Sequence, residues 1–235
     1  MPQGKIQKKN APVVEYLQLL TKDRRLAKIL VGQTGLTLNK SKDLPAFLYW
    51  TIINQQLSAK VGAVFYQRFL DLFDGKLPAP AELVATPPTK LRALGLSNAK
   101  VRYIQNVAQF DLDHKLNHKS LESLNDADAL TLVRSIKGVG PWTASVFLMN
   151  AVGREDIFPI DDLILQKAIA SLYKLDRTDK KKFLLAVQQI SSKWSPYRTY
   201  ASLHLWHWAE NLNTKKSKDK KIPNIEKKAS VSKKR

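Results

Sequence analysis

Two adjacent aspartates, Asp161 and Asp162, are the side chains best placed in the sequence to do chemistry. They precede the apolar run Leu163–Leu165. Aspartate often begins a helix, because its carboxylate accepts hydrogen bonds from N–H groups of the first turn. One of the pair therefore caps a helix starting near Leu163. The other has no such local task and is free to stabilise a positive charge in a transition state, unless both are caps or solvated charges.

A glycine-containing turn lies upstream, where the residues 137–140 (Lys137, Gly138, Val139 and Gly140) separate two segments of helical periodicity. Pro141 opens the second segment, and proline fits the first turn of a helix. The two glycines permit a tight reversal of the backbone, so both are expected to be needed. The pattern predicts a helix, a hairpin and a second helix whose free N–H groups bind an anion such as phosphate.

The composition of the chain limits the classes of molecule that it is expected to bind. The chain has 235 residues and a formal net charge of +19, which favours a polyanion, nucleic acid before membrane surface. It has no cysteine, which excludes disulfides, thiolate zinc sites and a cysteine-bound iron–sulfur cluster. No secretory signal begins the chain, and no apolar run approaches the ~20 residues that span a bilayer. We therefore expect a soluble, intracellular protein.

Helical periodicity continues along the chain, and no segment alternates long enough to predict a strand. The fold class is therefore all-α, with a helical domain over residues 13–213. Residues 1–12 are predicted to be a flexible N-terminus. Residues 214–235 hold ten Lys or Arg against two acidic residues and are predicted to form a disordered basic tail.

Three ordered segments resemble one family. Residues 138–144, Gly-Val-Gly-Pro-Trp-Thr-Ala, with an acidic helix cap at this distance, are similar to the helix-hairpin-helix DNA glycosylase superfamily, and most similar to its alkylpurine (3-methyladenine) DNA glycosylase II branch. Residues 52–60 resemble the glutamine-rich segment of that branch, and residues 196–206 resemble its C-terminal pocket helix. The resemblance implies two helical lobes with a central cleft. It also implies excision of alkylated purines from damaged double-stranded DNA without a cofactor.

The resemblance also suggests roles for the acids. The alkylpurine pattern makes the second aspartate of the pair catalytic, which is Asp162. Counting from Pro159, as in the oxidised-guanine branch, favours Asp161 instead. Trp142 stands where bifunctional glycosylases carry a catalytic lysine, and an indole cannot form a Schiff base. The implied enzyme is therefore monofunctional and leaves an abasic site.

Aromatic residues are candidates for the base pocket, because an electron-rich ring attracts and stacks on a cationic alkylated purine. Trp206 matches a pocket tryptophan of the family, while Trp50, Tyr49 and Trp142 are further candidates that core packing would explain equally well.

Two other groups are expected to touch DNA. By the family match, Gln56 or Leu57 is the wedge that fills the stack after a base leaves, although Leu57 could instead be a core residue and the glutamines could satisfy the end of a helix. Lys137, Gly138, Val139 and Gly140 are the expected phosphate contacts.

The remaining expectations concern partners and rivals. The histidines at 204 and 207 lack further ligands, so no metal site is predicted. The protein is expected to be a monomer without a membrane partner, cytoplasmic and DNA-associated in a bacterium or nuclear in a eukaryote. Two alternatives stay open: a glycosylase for oxidised or deaminated bases, and a non-catalytic helix-hairpin-helix protein that binds damaged DNA.

Overall fold

Every regular element in the described part of the chain is helical. The structure is a computed structural model that describes residues 14–219, with side chains for residues 15–212. The predicted all-α fold is confirmed. In chain order the α-helices are α1 (Val14–Leu20), α2 (Arg24–Leu30), α3 (Leu44–Asn54), α4 (Ala59–Asp71), α5 (Pro80–Ala85), α6 (Pro88–Ala93), α7 (Asn98–His114), α8 (His118–Glu122), α9 (Asp126–Arg134), α10 (Pro141–Phe147), α11 (Leu163–Tyr173), α12 (Lys180–Ser192) and α13 (Arg198–Asp219), and a π-helical turn (Leu148–Val152) follows α10 directly.

Polar caps determine where several of these helices begin. The Asp43 carboxylate accepts the Ala46 N–H at 2.9 Å at the start of α3, and the Ser97 hydroxyl accepts the Lys100 N–H at 3.2 Å at the start of α7. Each satisfies an N–H group that has no partner inside its helix, so these two boundaries follow from local chemistry alone.

The first lobe is built around α3 and α7, which pack against each other. Its core is a cluster of buried apolar side chains from residues 44–157, among them Leu48, Ile52, Ile104 and Phe147, all 0% exposed. Helices α4 to α6 and α10 cover these two helices. Burial of this apolar surface provides the main favourable term for folding the lobe.

The second lobe joins the two ends of the described chain. Helix α2 packs against α11 and α13, and its core includes Leu26, Ile169 and Leu205, all 0% exposed. Trp206 contacts the cores of both lobes. The two lobes implied by the family resemblance are therefore present, and α13 lies at their junction.

A buried histidine links the ends of this second lobe. The ring of His204 on α13 lies between Gln33 Oε1, 2.7 Å from Nδ1, and the hydroxyl of Tyr16, 3.3 Å from Nε2. Burial, assisted by the nearby His207, lowers the pKa of His204 to about 4. His204 thus serves as a neutral structural residue.

Two helix ends have local explanations. Helix α4 ends at Asp71, shortly before Asp74, which adopts a left-handed backbone with φ +54° and turns the chain. Helix α13 continues to Asp219, so residues 214–219 of the predicted disordered tail are helical. No glycine or proline follows residue 213 before Pro223, so nothing in the backbone stops the helix there. The remainder of the predicted tail, 220–235, and the predicted N-terminal segment, 1–12, lie outside the described residues.

Among the helices of residues 14–219, none is long and apolar enough to cross a membrane.

Candidate active site

Asp162 is a buried carboxylate at the start of a helix. It is 4% exposed and serves as the N-cap of α11, where its Oδ1 accepts the Leu165 N–H at 2.8 Å. The positive end of the helix dipole therefore faces this acid. The sequence predicts that one aspartate of the pair caps a helix and that the other is free for chemistry. In the structure Asp162 is the cap, and it is also the aspartate that faces the junction of the lobes.

Two tryptophans converge on the same carboxylate. The indole Nε1–H of Trp142, in the first turn of α10, donates to Asp162 Oδ2 at 2.7 Å. The indole Nε1–H of Trp206, on α13, donates to Asp162 Oδ1 at 3.2 Å. Three helices thus orient one side chain. Oδ1 accepts two hydrogen bonds and Oδ2 one, so Oδ2 keeps a lone pair for a water or a reacting sugar.

Asp161 has a different environment. It is exposed, and it makes no hydrogen bond or ion pair within the described residues. A carboxylate in open water is screened and contributes little directed electrostatics. The geometry therefore favours Asp162 over Asp161 as the acid of the site.

The predicted hairpin joins α9 to α10. Gly138 has φ +104°, and a Cβ placed there would lie 2.2 Å from the ring of Tyr103. Below the turn Val139 is 4% exposed, and the Asn106 side-chain amide donates to the Lys137 carbonyl at 2.9 Å. These contacts fasten the hairpin to α7.

Gly140 behaves differently from the expectation. Its φ is −77°, and a Cβ at this position would meet nothing within 4 Å. The turn itself therefore does not require this glycine. As the N-cap of α10 it offers no side-chain hydrogen bond to the first turn, which leaves that turn's N–H groups to an outside acceptor. Lys137 is exposed beside it.

The glutamine-rich segment forms the turn between α3 and α4. Gln56 is exposed and has φ +60°, a left-handed conformation that non-glycine residues adopt only when neighbouring contacts hold them. Leu57 is half-buried behind it. Gln56 is thus the more exposed of the two candidate wedges.

The other two pocket candidates make no hydrogen bond to Asp162. Tyr49 is 2% exposed and packs against Phe69 in the core of the first lobe. Its hydroxyl is buried without a hydrogen-bond partner, and burial raises the pKa of Tyr49. Trp50 is half-buried one residue further along α3. Packing of the lobe is sufficient to explain Tyr49.

The hydrogen bond from Trp142 differs from the sequence-based prediction for this residue, which is a core or substrate-stacking indole. The available signal was its position two residues after Gly140, where the family resemblance places a catalytic lysine. In a bifunctional enzyme that lysine reacts at C1′, the sugar carbon beside which the catalytic carboxylate lies. A side chain at position 142 is therefore expected to lie close to Asp162.

A second indole–carboxylate pair lies at the opposite end of α11. Trp194 donates its Nε1–H to Asp23 Oδ2 at 3.2 Å, and Asp23 also accepts the hydroxyl of Tyr173. These residues line an open cavity of about 740 Å³. Asp23 caps α2. Like Asp162, it is therefore a helix-capping aspartate whose carboxylate also accepts an indole N–H.

Comparisons with known proteins identify a family for this chain. Residues 49–194 match the family described as HhH-GPD superfamily base excision DNA repair protein. A putative DNA-3-methyladenine glycosylase of Bacillus subtilis is 33% identical over 165 residues, which are 68% of this chain and 56% of that protein. The chain therefore spans little more than half the length of this relative.

Two solved structures are similar in fold. The DNA-3-methyladenine glycosidase of Bacillus halodurans superposes with a TM-score of 0.74 at 30% identity, covering 87% of this chain and 92% of that one. The 3-methyladenine DNA glycosylase of Schizosaccharomyces pombe, in complex with abasic DNA, gives a TM-score of 0.68 at 25% identity, covering 82% and 95%.

Proposed function

Because the chain belongs to the HhH-GPD superfamily of base excision DNA repair proteins, we propose that it is a DNA glycosylase that excises alkylated purines of the 3-methyladenine type. It flips the damaged nucleotide out of double-stranded DNA, hydrolyses the N-glycosidic bond and leaves an abasic site. The relatives and solved structures named 3-methyladenine glycosylases support this choice of lesion. The observation that carries the proposal is the Asp162 carboxylate, buried at the lobe junction and oriented by two indoles.

The proposed chemistry needs a fixed negative charge beside the sugar. As the bond between base and C1′ breaks, its electron pair leaves with the base and the sugar becomes oxocarbenium-like. A carboxylate held beside C1′ stabilises that charge, as carboxylates do in glycoside hydrolysis. An alkylated purine is often already cationic and so is a better leaving group. The open lone pair of Asp162 Oδ2 then accepts a hydrogen bond from a water molecule and orients it for addition to C1′.

The identity of residue 142 supports a monofunctional reaction. Its indole is not a nucleophile toward a sugar aldehyde and is engaged with Asp162. The abasic product therefore stays uncleaved, and strand scission requires alkali or a separate enzyme. Incubation with borohydride is expected to trap no covalent complex with DNA. A trapped complex that disappears on mutation of a single lysine would contradict this part of the proposal.

DNA is bound on the hairpin side in this proposal. The open N–H groups at the start of α10 and the exposed Lys137 hold a phosphate, and Gln56 enters the gap that the flipped base leaves. Since the hairpin and Trp142 belong to the same helix start, a phosphate bound there fixes the distance from the strand to Asp162.

The test compares the adjacent aspartates. Asp162→Asn is expected to bind lesion-containing DNA with near wild-type affinity and to lose base release, because phosphate contacts persist while the stabilising charge is gone. Asp161→Asn is the matched control and should retain activity. Base release is measured on methylated, oxidised and deaminated duplexes under single-turnover conditions.

Each outcome separates the alternatives. Activity on oxidised or deaminated DNA alone would favour a different lesion class. Loss in Asp161→Asn with activity in Asp162→Asn would move the acid by one residue. If both variants and the wild type bind damaged DNA and none releases a base, the protein is a non-catalytic binding module.

A further inference from the structure

The turn that presents Gln56 rests on a lysine from another helix. Lys100, in the first turn of α7, directs its Nζ to two carbonyl oxygens, those of Ile53 and Gln55, each at 2.8 Å. These carbonyls belong to the last turn and C-cap of α3. Backbone carbonyls at a helix C-terminus have no partner within the helix and carry the negative end of its dipole. An ammonium group satisfies two of them at once.

The position of these bonds matters for Gln56. One of the two carbonyls belongs to the residue immediately before it, and Gln56 itself has φ +60°. On the other side, the Leu57 N–H donates to Asn54 O at 3.1 Å. A left-handed residue in an exposed turn persists only if its neighbours restrain it. Here the restraint on the N-terminal side comes from a side chain 45 residues away along the chain.

The surroundings of Lys100 distinguish it from a surface cation. It is half-buried, and burial lowers the pKa of its ammonium group. Its hydrogen bonds go to backbone oxygens rather than to an acidic side chain. Two of its three N–H donors are therefore turned inward and are not free to bind a phosphate.

We propose that Lys100 is a positioning residue for base extrusion, which holds the Gln55–Leu57 turn so that Gln56 enters the DNA stack. This inference rests on the proposed glycosylase function. It assigns to α7 the support of the wedge turn, in addition to its contact with the hairpin through Tyr103 and Asn106. Helix α7 thus sets the spacing between the wedge residue Gln56 and the hairpin that binds phosphate.

The experiment is a double-mutant cycle between Lys100→Met and Gln56→Ala in the full-length protein. Extrusion is followed by stopped-flow fluorescence of 2-aminopurine placed beside a methylated purine, together with single-turnover base release. Lys100→Met is expected to lower extrusion about tenfold. In the Gln56→Ala background it should lower extrusion little further, because the side chain through which it acts is absent.

Three further measurements distinguish positioning from other roles. Lys100→Arg keeps inward N–H donors and should recover most of the extrusion. The slope of log affinity against log salt should be unchanged in Lys100→Met, whereas loss of a phosphate contact would reduce it by about 1. Lys60→Met removes the same charge from the exposed start of α4, four residues after Gln56, and should show no coupling to Gln56→Ala.

The result that overturns the inference is additivity. If Lys100→Met lowers extrusion equally with and without Gln56, or only in proportion to lost folded protein measured by thermal unfolding, its role is structural. If Gln56→Ala impairs extrusion and Lys100→Met does not, the inference fails while the proposed function stands. If the wild type itself extrudes and releases no base, the proposed function fails first.

Discussion

The Trp142 indole is expected to control the rate of base release without controlling DNA affinity. Trp142→Phe keeps an aromatic ring but removes the Nε1–H that donates to Asp162 Oδ2 at 2.7 Å. A hydrogen bond to a charged group contributes about 1.5–3 kcal/mol. Since about 1.4 kcal/mol corresponds to a tenfold change in rate, the loss should lie between roughly 10-fold and 150-fold. The upper value applies if all of that energy orients the carboxylate in the transition state.

Trp194→Phe is the matched control for this prediction. It removes an indole hydrogen bond of 3.2 Å to Asp23 at the opposite end of α11. Both variants should lower the melting temperature, because each leaves a carboxylate with one donor fewer. Only Trp142→Phe should slow single-turnover release of a methylated purine at saturating enzyme, and DNA dissociation constants should change little in either.

Release of the base by Trp142→Phe within about threefold of the wild-type rate would contradict this prediction. The indole would then contribute to packing alone, and the orientation of Asp162 would depend on its cap and Trp206. Equal losses of rate in Trp142→Phe and Trp194→Phe would instead indicate that the rate follows the amount of folded protein.

Three other predictions concern the hairpin, a buried histidine and the C-terminal residues. Gly138→Ala should lower the melting temperature, because a Cβ is strained at φ +104° and would collide with the Tyr103 ring. Gly140→Ala should leave the melting temperature unchanged and weaken DNA binding. Thermal unfolding and DNA titration of both variants check this pair of outcomes. Burial lowers the pKa of His204 to about 4, so its stabilising contribution is complete above about pH 6.5 and declines as pH falls toward 4; His204→Gln should flatten this decline in urea titrations. Deleting residues 220–235, which hold seven Lys or Arg and one Glu, should reduce the salt dependence of DNA binding and leave saturated single-turnover release unchanged; loss of that release would place the segment in the site.

Local patterns were sufficient to predict much of the fold. Asp43 and Ser97 each precede an apolar-periodic segment, and both cap helices in the structure. Gly138 and Pro141 predict a chain reversal followed by a helix start. In the structure Gly138 has a left-handed backbone and α10 begins at Pro141. These features depend on residues within one turn of each other, which is the range over which sequence pattern and backbone chemistry are directly related.

The directions of buried polar groups were not predictable in this way. Trp142 and Trp206 donate to an acid that is 20 and 44 residues away along the chain, and Lys100 reaches carbonyls 45 and 47 residues away. Periodicity shows which face of a helix is apolar, but not where an indole N–H or an ammonium points once three helices pack together. For the same reason the burial of Tyr49 in the core of the first lobe was not predictable.

Asp162 combines a structural and a chemical task, and this determines which substitution is informative. An alanine there would remove the cap of α11 together with the charge, and a lost rate could then be a lost helix start. Asparagine caps a helix about as well as aspartate does, and its oxygen can still accept the N–H groups of Leu165 and Trp206. Its amide nitrogen, however, would face the indole N–H of Trp142, and two donors cannot bond to each other. A modest loss of stability in Asp162→Asn is therefore expected even though the cap remains. A loss of base release far larger than that loss of stability would then be assigned to the missing negative charge.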